Sequence, residues 1–140
     1  MQIDDTLGYM ICRTARKVHH RIGKIFSPYG LTMEQWVAMK KLAEHPGISQ
    51  KHLAERMEKD QNTVKAIVDR LIRKRYVQRR VNPSDRRAFL LLLTEEGQRQ
   101  VKLLSVEDER ENLLLEECLG CEETRQIKAM LRMIEERLAD

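Results

Sequence analysis

Apolar residues near the start of the chain recur in alternating steps of four and three: Ile11, Ala15, Val18, Ile22 and Ile25. That spacing predicts a helix from about Thr6 to Ser27 with a heptad-type seam suited to packing on another long helix. Ser27-Pro28-Tyr29-Gly30 ends it. Thr32 with Gln35 three residues later forms a capping box, which opens a second helix expected through Glu44 and stopped by His45-Pro46-Gly47. Ser49 caps a third, short helix to Met57, and Asp60 caps a fourth to about Lys74. Only Glu58 and Lys59 remain for the turn between them, the spacing of a helix-turn-helix.

In the fourth helix, Val64, Ile67, Val68, Leu71 and Ile72 fall in one apolar sector at 100° per residue. Asn62, Ala66, Asp69 and Arg73 fall opposite, with Thr63, Lys65 and Arg70 on the shoulders. Val77–Val81 and Ala88–Leu93 read as strands around the turn residues Asn82-Pro83-Ser84-Asp85. Leu90 to Leu93 are four consecutive leucines, so the pattern does not say which strand face is buried. Thr94 caps a fifth helix, whose polar run from Glu107 to Asn112 reads as a solvated waist. Gly120 suits a C-cap and Cys121 an N-cap for a last helix carrying Ile127, Met130, Leu131, Ile134 and Leu138 on one face. The terminal helices thus hold more apolar stripe than a small domain needs. A two-fold dimer through Ile11, Val18 and Ile22 and the five apolar positions of the last helix would bury it. The alternative is that the first and last helices pack on each other within one chain.

The 140 residues suit one mainly α domain. No apolar run approaches a membrane span and the start is polar, so a cytoplasmic protein without a membrane partner is expected. Charge changes the picture by its distribution. Between residues 51 and 87 stand twelve Lys/Arg against five Asp/Glu, a local +7, whereas residues 1–50 carry +3 and residues 88–140 carry −6. A basic middle between less basic or acidic flanks is the footprint of a phosphate-backbone binder.

The chemistry of the fourth helix agrees with that footprint. Asn62 could pair with an adenine edge, and Ala66 allows close approach to a thymine methyl. Gln61 and Thr63 can reach bases or phosphates, and Lys65 a phosphate or guanine. Ser49 and Gln50 sit where the third helix would meet a phosphate. Asp69, which would repel phosphate alone, is expected to pair with Arg73 or Lys65, four residues to either side. Arg86 and Arg87 at the hairpin tip suit a minor groove, with Asp85 expected to orient one guanidinium. One of Arg79 and Arg80 should face the backbone. No Ser/His/Asp set, carboxylate pair or Gly-rich phosphate loop points to an enzyme, and no cofactor is implied. Cys118-Leu119-Gly120-Cys121 lacks the further ligands of a structural zinc site, so no metal is assigned. A thiol- or metal-responsive sensor using Cys118 and Cys121 stays as the alternative function.

Three stretches resemble the multiple-antibiotic-resistance regulator (MarR) family of winged helix-turn-helix transcription factors. They are Leu31-Thr32-Met33-Glu34-Gln35-Trp36; Thr63-Val64 with Val68-Asp69-Arg70-Leu71; and Asn82-Pro83-Ser84-Asp85-Arg86-Arg87-Ala88 running on to Leu93-Thr94-Glu95-Glu96-Gly97. The resemblance implies one domain over residues 1–140, with a winged helix-turn-helix lobe at 31–97 and dimerisation helices at 1–30 and 98–140. It also implies a homodimeric repressor on a pseudo-palindromic double-stranded operator, released by a small aromatic anion. By resemblance, DNA contacts would fall on Gln61, Asn62, Thr63, Lys65 and Ala66, on Asp85 and Arg86, and on Arg87 in the minor groove; the residue pattern adds Ser49, Gln50, Arg70 and Arg73. The anion's site would match Met10, Arg16, Trp36 and Met39, of which Arg16 has a charge to offer. Trp36 and the methionines also suit a plain core. Two departures stand out. Arg75 occupies the place where relatives usually have a helix-ending glycine, and a left-handed residue there would cost about 1 kcal/mol. Gly8 stands where peroxide-sensing relatives carry their thiol, so that chemistry does not transfer to Cys12.

Overall fold

The computed structural model describes residues 1–139. The elements run α1 (Leu7–Phe26), α2 (Met33–Glu44), β1 (Ile48–Ser49), α3 (Gln50–Met57), α4 (Gln61–Arg73), β2 (Val77–Asn82), β3 (Asp85–Leu93), α5 (Glu95–Glu117) and α6 (Cys121–Leu138). The chain divides into two compact units, Met1–Ser105 and a second beginning at Val106. The first unit takes in α1 as well as the helix-turn-helix and the wing. Phe26 of α1 is fully buried and stacked on Trp36 with ring centroids 5.0 Å apart, while Ile22 and Ile25 pack on the same core.

Local signals place the helix starts. The Gln35 N–H donates to Thr32 Oγ1 and the Thr32 N–H to Gln35 Oε1, both at 3.1 Å, completing the capping box of α2. The His52 N–H donates to Ser49 Oγ at 3.1 Å, and the Thr63 N–H to Asp60 Oδ1 at 2.9 Å. Each such cap contributes about 1 kcal/mol.

Both helices of the helix-turn-helix end on a left-handed residue that is not glycine. Glu58 has φ 53° and Arg75 has φ 65°. After α4, the Arg75 N–H donates to the Ile72 carbonyl at 2.9 Å and the Tyr76 N–H to the Leu71 carbonyl at 3.0 Å, the two bonds of a Schellman ending. Glu58 and Lys59 repeat the pattern on Glu55 and Ala54. Arg75 therefore takes the strained conformation itself. Arg75→Gly is expected to raise unfolding stability by up to about 0.5 kcal/mol, the relief of strain slightly exceeding the entropy a glycine adds to the unfolded chain. A denaturant midpoint that falls would contradict this.

The sheet is three-stranded and antiparallel in the order β1-β3-β2. β1, only two residues long, has no sequence period to announce it; Ile48 pairs with Leu91 and Ser49 with Leu90. β3 is longer than its apolar run predicts, because Asp85 already pairs with Asn82 across the two-residue turn Pro83-Ser84. Flanked on both sides, β3 turns Leu91 and Leu93 into the core and leaves Leu90 and Leu92 half-buried. Val64, Val68 and Leu71 of α4 are fully buried on Leu53, Leu42 and their neighbours in the same core. Burying each such side chain contributes roughly 1.5–3 kcal/mol, which anchors α4 with its opposite face outward.

In the second unit, α5 ends where the Gly120 N–H donates to the Glu116 carbonyl at 2.8 Å, and the Gly120 carbonyl accepts the Thr124 N–H at 2.9 Å. Gly120, at φ 103°, is thus the N-cap of α6, and Cys121 is that helix's first residue rather than its cap. The expected solvated waist is not uniformly exposed: Glu111 is buried, while Arg110 pairs with Glu107 at 3.2 Å in solvent.

Candidate nucleic-acid interface

The N-terminal half of α4 presents Gln61, Asn62, Thr63, Lys65 and Ala66, all exposed, while Val64 and Val68 hold the helix from behind. Short polar and small residues at the start of an outward-facing helix are what major-groove reading requires. Three of the expected contacts are altered by neighbours. The Thr63 hydroxyl donates to Asp60 Oδ2 at 2.7 Å, so Thr63 can meet DNA only as an acceptor or through its methyl. Those two Thr63 bonds hold the Asp60 carboxyl below its ordinary pKa. Lys65 Nζ lies 3.0 Å from Asp69 Oδ2 and is engaged there. Gln50 is half-buried and its Oε1 accepts from Arg79 at 3.4 Å, whereas Ser49 keeps a hydroxyl proton to donate after accepting its cap bond.

Asp69 does not pair with Arg73. Its second oxygen takes Arg79 NH2 at 2.5 Å, and Arg79 comes from β2. A helix-only rule finds partners at four residues, but it cannot see a strand folded alongside. Arg79 first, then Lys65, hold the Asp69 carboxyl below its ordinary 3.8. Strand alternation sends Arg80 to the other side, exposed, so of the two wing arginines on β2 it is the one open to solvent. Arg70 and Arg73 are exposed on α4 and have no ion-pair partner among the described residues.

At the hairpin tip the Ser84 N–H donates to Asn82 Oδ1 at 2.9 Å, and the Arg87 N–H to Asp85 Oδ1 at 3.0 Å. Asp85 thus fixes the backbone of the tip rather than a guanidinium. These bonds within two residues stiffen the turn. Arg86 and Arg87 are exposed and make no ion pair among the described residues, so both are available to an outside anion.

The sequence model of the MarR family matches residues 31–89, the span from α2 to the wing. The HTH-type transcriptional repressor NicR of Pseudomonas putida is 32% identical over 99 residues, 68% of this chain and 60% of NicR. The transcriptional repressor CouR, solved bound to a 23-mer DNA duplex, superposes with a TM-score of 0.87 at 26% identity over 95% of this chain and 94% of CouR. Residues 31–89 of the chain are a MarR-type segment. BpsR of Bordetella bronchiseptica, whose DNA binding is regulated by 6-hydroxynicotinic acid, shares the fold with a TM-score of 0.90 at 22% identity, over 100% of this chain and 99% of BpsR. The aligned stretch reaches 60% of NicR's length.

Of the MarR-type ligand positions, two are buried and two are exposed. Trp36 is 3% exposed and Met39 is fully buried, both in the core of the first unit, because α2 is the helix on which α1, α3, α4 and β3 all pack. Met10 and Arg16 are exposed on α1. A cavity of about 400 Å³ lies instead against His19, His20, Lys24, Met33 and Glu34. There His19 Nε2 meets Glu34 Oε1 at 2.9 Å, which holds the Glu34 carboxyl below its ordinary pKa.

Of the positions assigned to dimerisation, Ile11, Val18 and Ile22 are half-buried, Ile22 against the chain's own core. On α6, Ile127, Met130, Leu131 and Leu138 are exposed and Ile134 is half-buried. Cys12, Cys118 and Cys121 are free and exposed. Among the described residues no group of three His, Cys, Asp or Glu side chains is placed to hold a metal, and no helix is long and apolar enough to cross a membrane.

Proposed function

We propose that this protein is a sequence-specific double-stranded DNA-binding transcriptional regulator that acts as a homodimer, most simply as a repressor. One observation carries the reading. The exposed start of α4 and the unpaired Arg86 and Arg87 of a stiffened hairpin form two prongs of a single lobe. One prong has the chemistry of a major-groove reader and the other that of a minor-groove anchor. Within it, Gln61 and Asn62 read base edges, Ala66 permits close approach, and Arg70, Arg73 and Arg80 take phosphates. The names of the relatives, NicR and CouR among them, are those of transcriptional repressors.

The dimer is supported by the apolar face left open on α6, where Met130 is 53% and Leu138 75% exposed. A contiguous face of this kind needs a partner surface, and a second copy related by a two-fold axis supplies one. Release by a small aromatic anion belongs to the same reading, with Arg16 as the exposed cation that can pair with a carboxylate.

Selection from random duplex DNA tests this. It should return two inverted half-sites with centres roughly 10 base pairs apart, one turn of the duplex or a multiple of it. Because several phosphates are neutralised, affinity for the selected site should fall by ~10³-fold or more between 50 and 200 mM salt. A flat salt response, or recovery of no consensus, would reject the reading.

A further inference from the structure

We propose that Asp69 is a specificity-determining residue that works by withholding two cations from the DNA backbone. This rests on the reading of the chain as a duplex-DNA binder. Twelve Lys/Arg lie between residues 51 and 87, and among the described residues only Lys65 and Arg79 of these are held in ion pairs. Both are held by the same carboxylate. Asp69 lies on the outward face of α4, seven residues after Asn62 and three after Ala66, two turns and one turn along the same side. Its side chain is 28% exposed, as is that of Arg79, whereas Lys65 is 61% exposed and would otherwise be free to swing. Arg79 also reaches Gln50, so one acid joins α3, α4 and the base of the wing.

A carboxylate on a DNA-facing surface is repelled by phosphate, so a tight binder would be better without it. Its effect is clearer on the wrong sequences. Non-specific affinity comes almost wholly from cations on phosphates, and those contacts read no base. Freeing Lys65 and Arg79 would add two such contacts on every duplex alike. Holding them on Asp69 lowers the affinity for all sequences, and it also keeps the base of the wing aligned with the reading helix. Base contacts on α4 and the wing contact of Arg87 are then made together only where the site fits. The ratio of operator to non-operator binding, which decides occupancy among many competing sites, rises.

The test compares full-length wild type and Asp69→Asn on two labelled duplexes of equal length, the selected operator and a scrambled version, across a salt series. Asparagine keeps the shape and one acceptor but cannot hold two cations. Asp69→Asn should bind the scrambled duplex ~10-fold more tightly at low salt, and its plot of log affinity against log salt should steepen by up to about two units. The ratio of operator to scrambled affinity should fall by about tenfold, and Asp69→Glu should restore part of it. An unchanged salt slope, or affinities for both duplexes lowered together, would overturn the proposal. Should Asp69→Asn lose its fold, Lys65→Gln reads the same question from the other partner. Its salt slope on scrambled DNA should equal that of the wild type, and a slope shallower by about one unit would show that Lys65 already contacts phosphate. Wild-type protein that binds neither duplex would instead overturn the DNA reading itself, whereas binding by wild type with no change in the variants overturns the role of Asp69 alone.

Discussion

Arg87→Ala should weaken operator binding by roughly 1–3 kcal/mol, about 5- to 150-fold, without lowering the unfolding temperature. Arg87 is exposed and has no ion-pair partner among the described residues, so its loss leaves no buried group unsatisfied. Its backbone N–H stays bound to Asp85, which keeps the tip in shape when the side chain is removed. Any fall in affinity therefore reports a lost DNA contact. Arg is favoured in a narrow minor groove because the negative potential is strongest there, so the effect should be larger on A·T-rich flanks. Titration of a labelled operator by anisotropy, with a thermal melt as control, decides it. Unchanged affinity would mean that the wing tip stays outside the groove.

A second substitution should act through the fold. A Cβ on Gly97 would lie 2.1 Å from the Tyr76 carbonyl oxygen and 3.0 Å from its carbon. That carbonyl is not free to retreat, because it accepts the Thr94 N–H at 3.0 Å. Thr94 is itself pinned: its hydroxyl donates to the Arg75 carbonyl at 2.6 Å and accepts the Gly97 N–H at 3.0 Å. One side chain thus caps α5 and clasps the chain where it leaves α4 for the wing. Gly97→Ala must force this clasp open, at a cost of roughly 3 kcal/mol. For a chain of this size the unfolding temperature should drop by about 10 °C. DNA affinity measured well below the melt should fall too, since the clasp sets the wing against α4. A melt within a degree or two of wild type would show that α5 slides away from Tyr76 at little cost.

Much of the candidate interface was legible because it is written locally. The caps at Thr32, Ser49 and Asp60 each need a polar side chain and an N–H three residues on, and the structure places each one where the spacing asks. The apolar sector of α4 likewise matches Val64, Val68 and Leu71 in the core, and so places Asn62 and Ala66 outside. The errors share a cause. The expected pairing of Asp69 with Lys65 is present, but Arg73 is not its partner; the second is Arg79, ten residues on in sequence and brought back by the turn after Arg75. Asp85 was expected to hold a guanidinium and instead holds the backbone of Arg87, a bond set by the geometry of a two-residue turn. For Trp36 and Met39 the spacing left a core position open, and both are buried because of what packs around α2.

By itself, then, the order of residues determined the helices, their caps, the helix-turn-helix spacing, the basic middle and the resemblance to a winged-helix family. Each of these is carried by neighbours within about one or two turns, or by composition. Tertiary structure alone decided that Ile48 and Ser49 form a strand, and which of four leucines are buried. It also decided that Arg75 adopts a left-handed ending, and that one carboxylate takes a lysine from its own helix and an arginine from the wing. Those outcomes depend on segments that meet only after folding, where burial and hydrogen bonding across distant residues outweigh local preference.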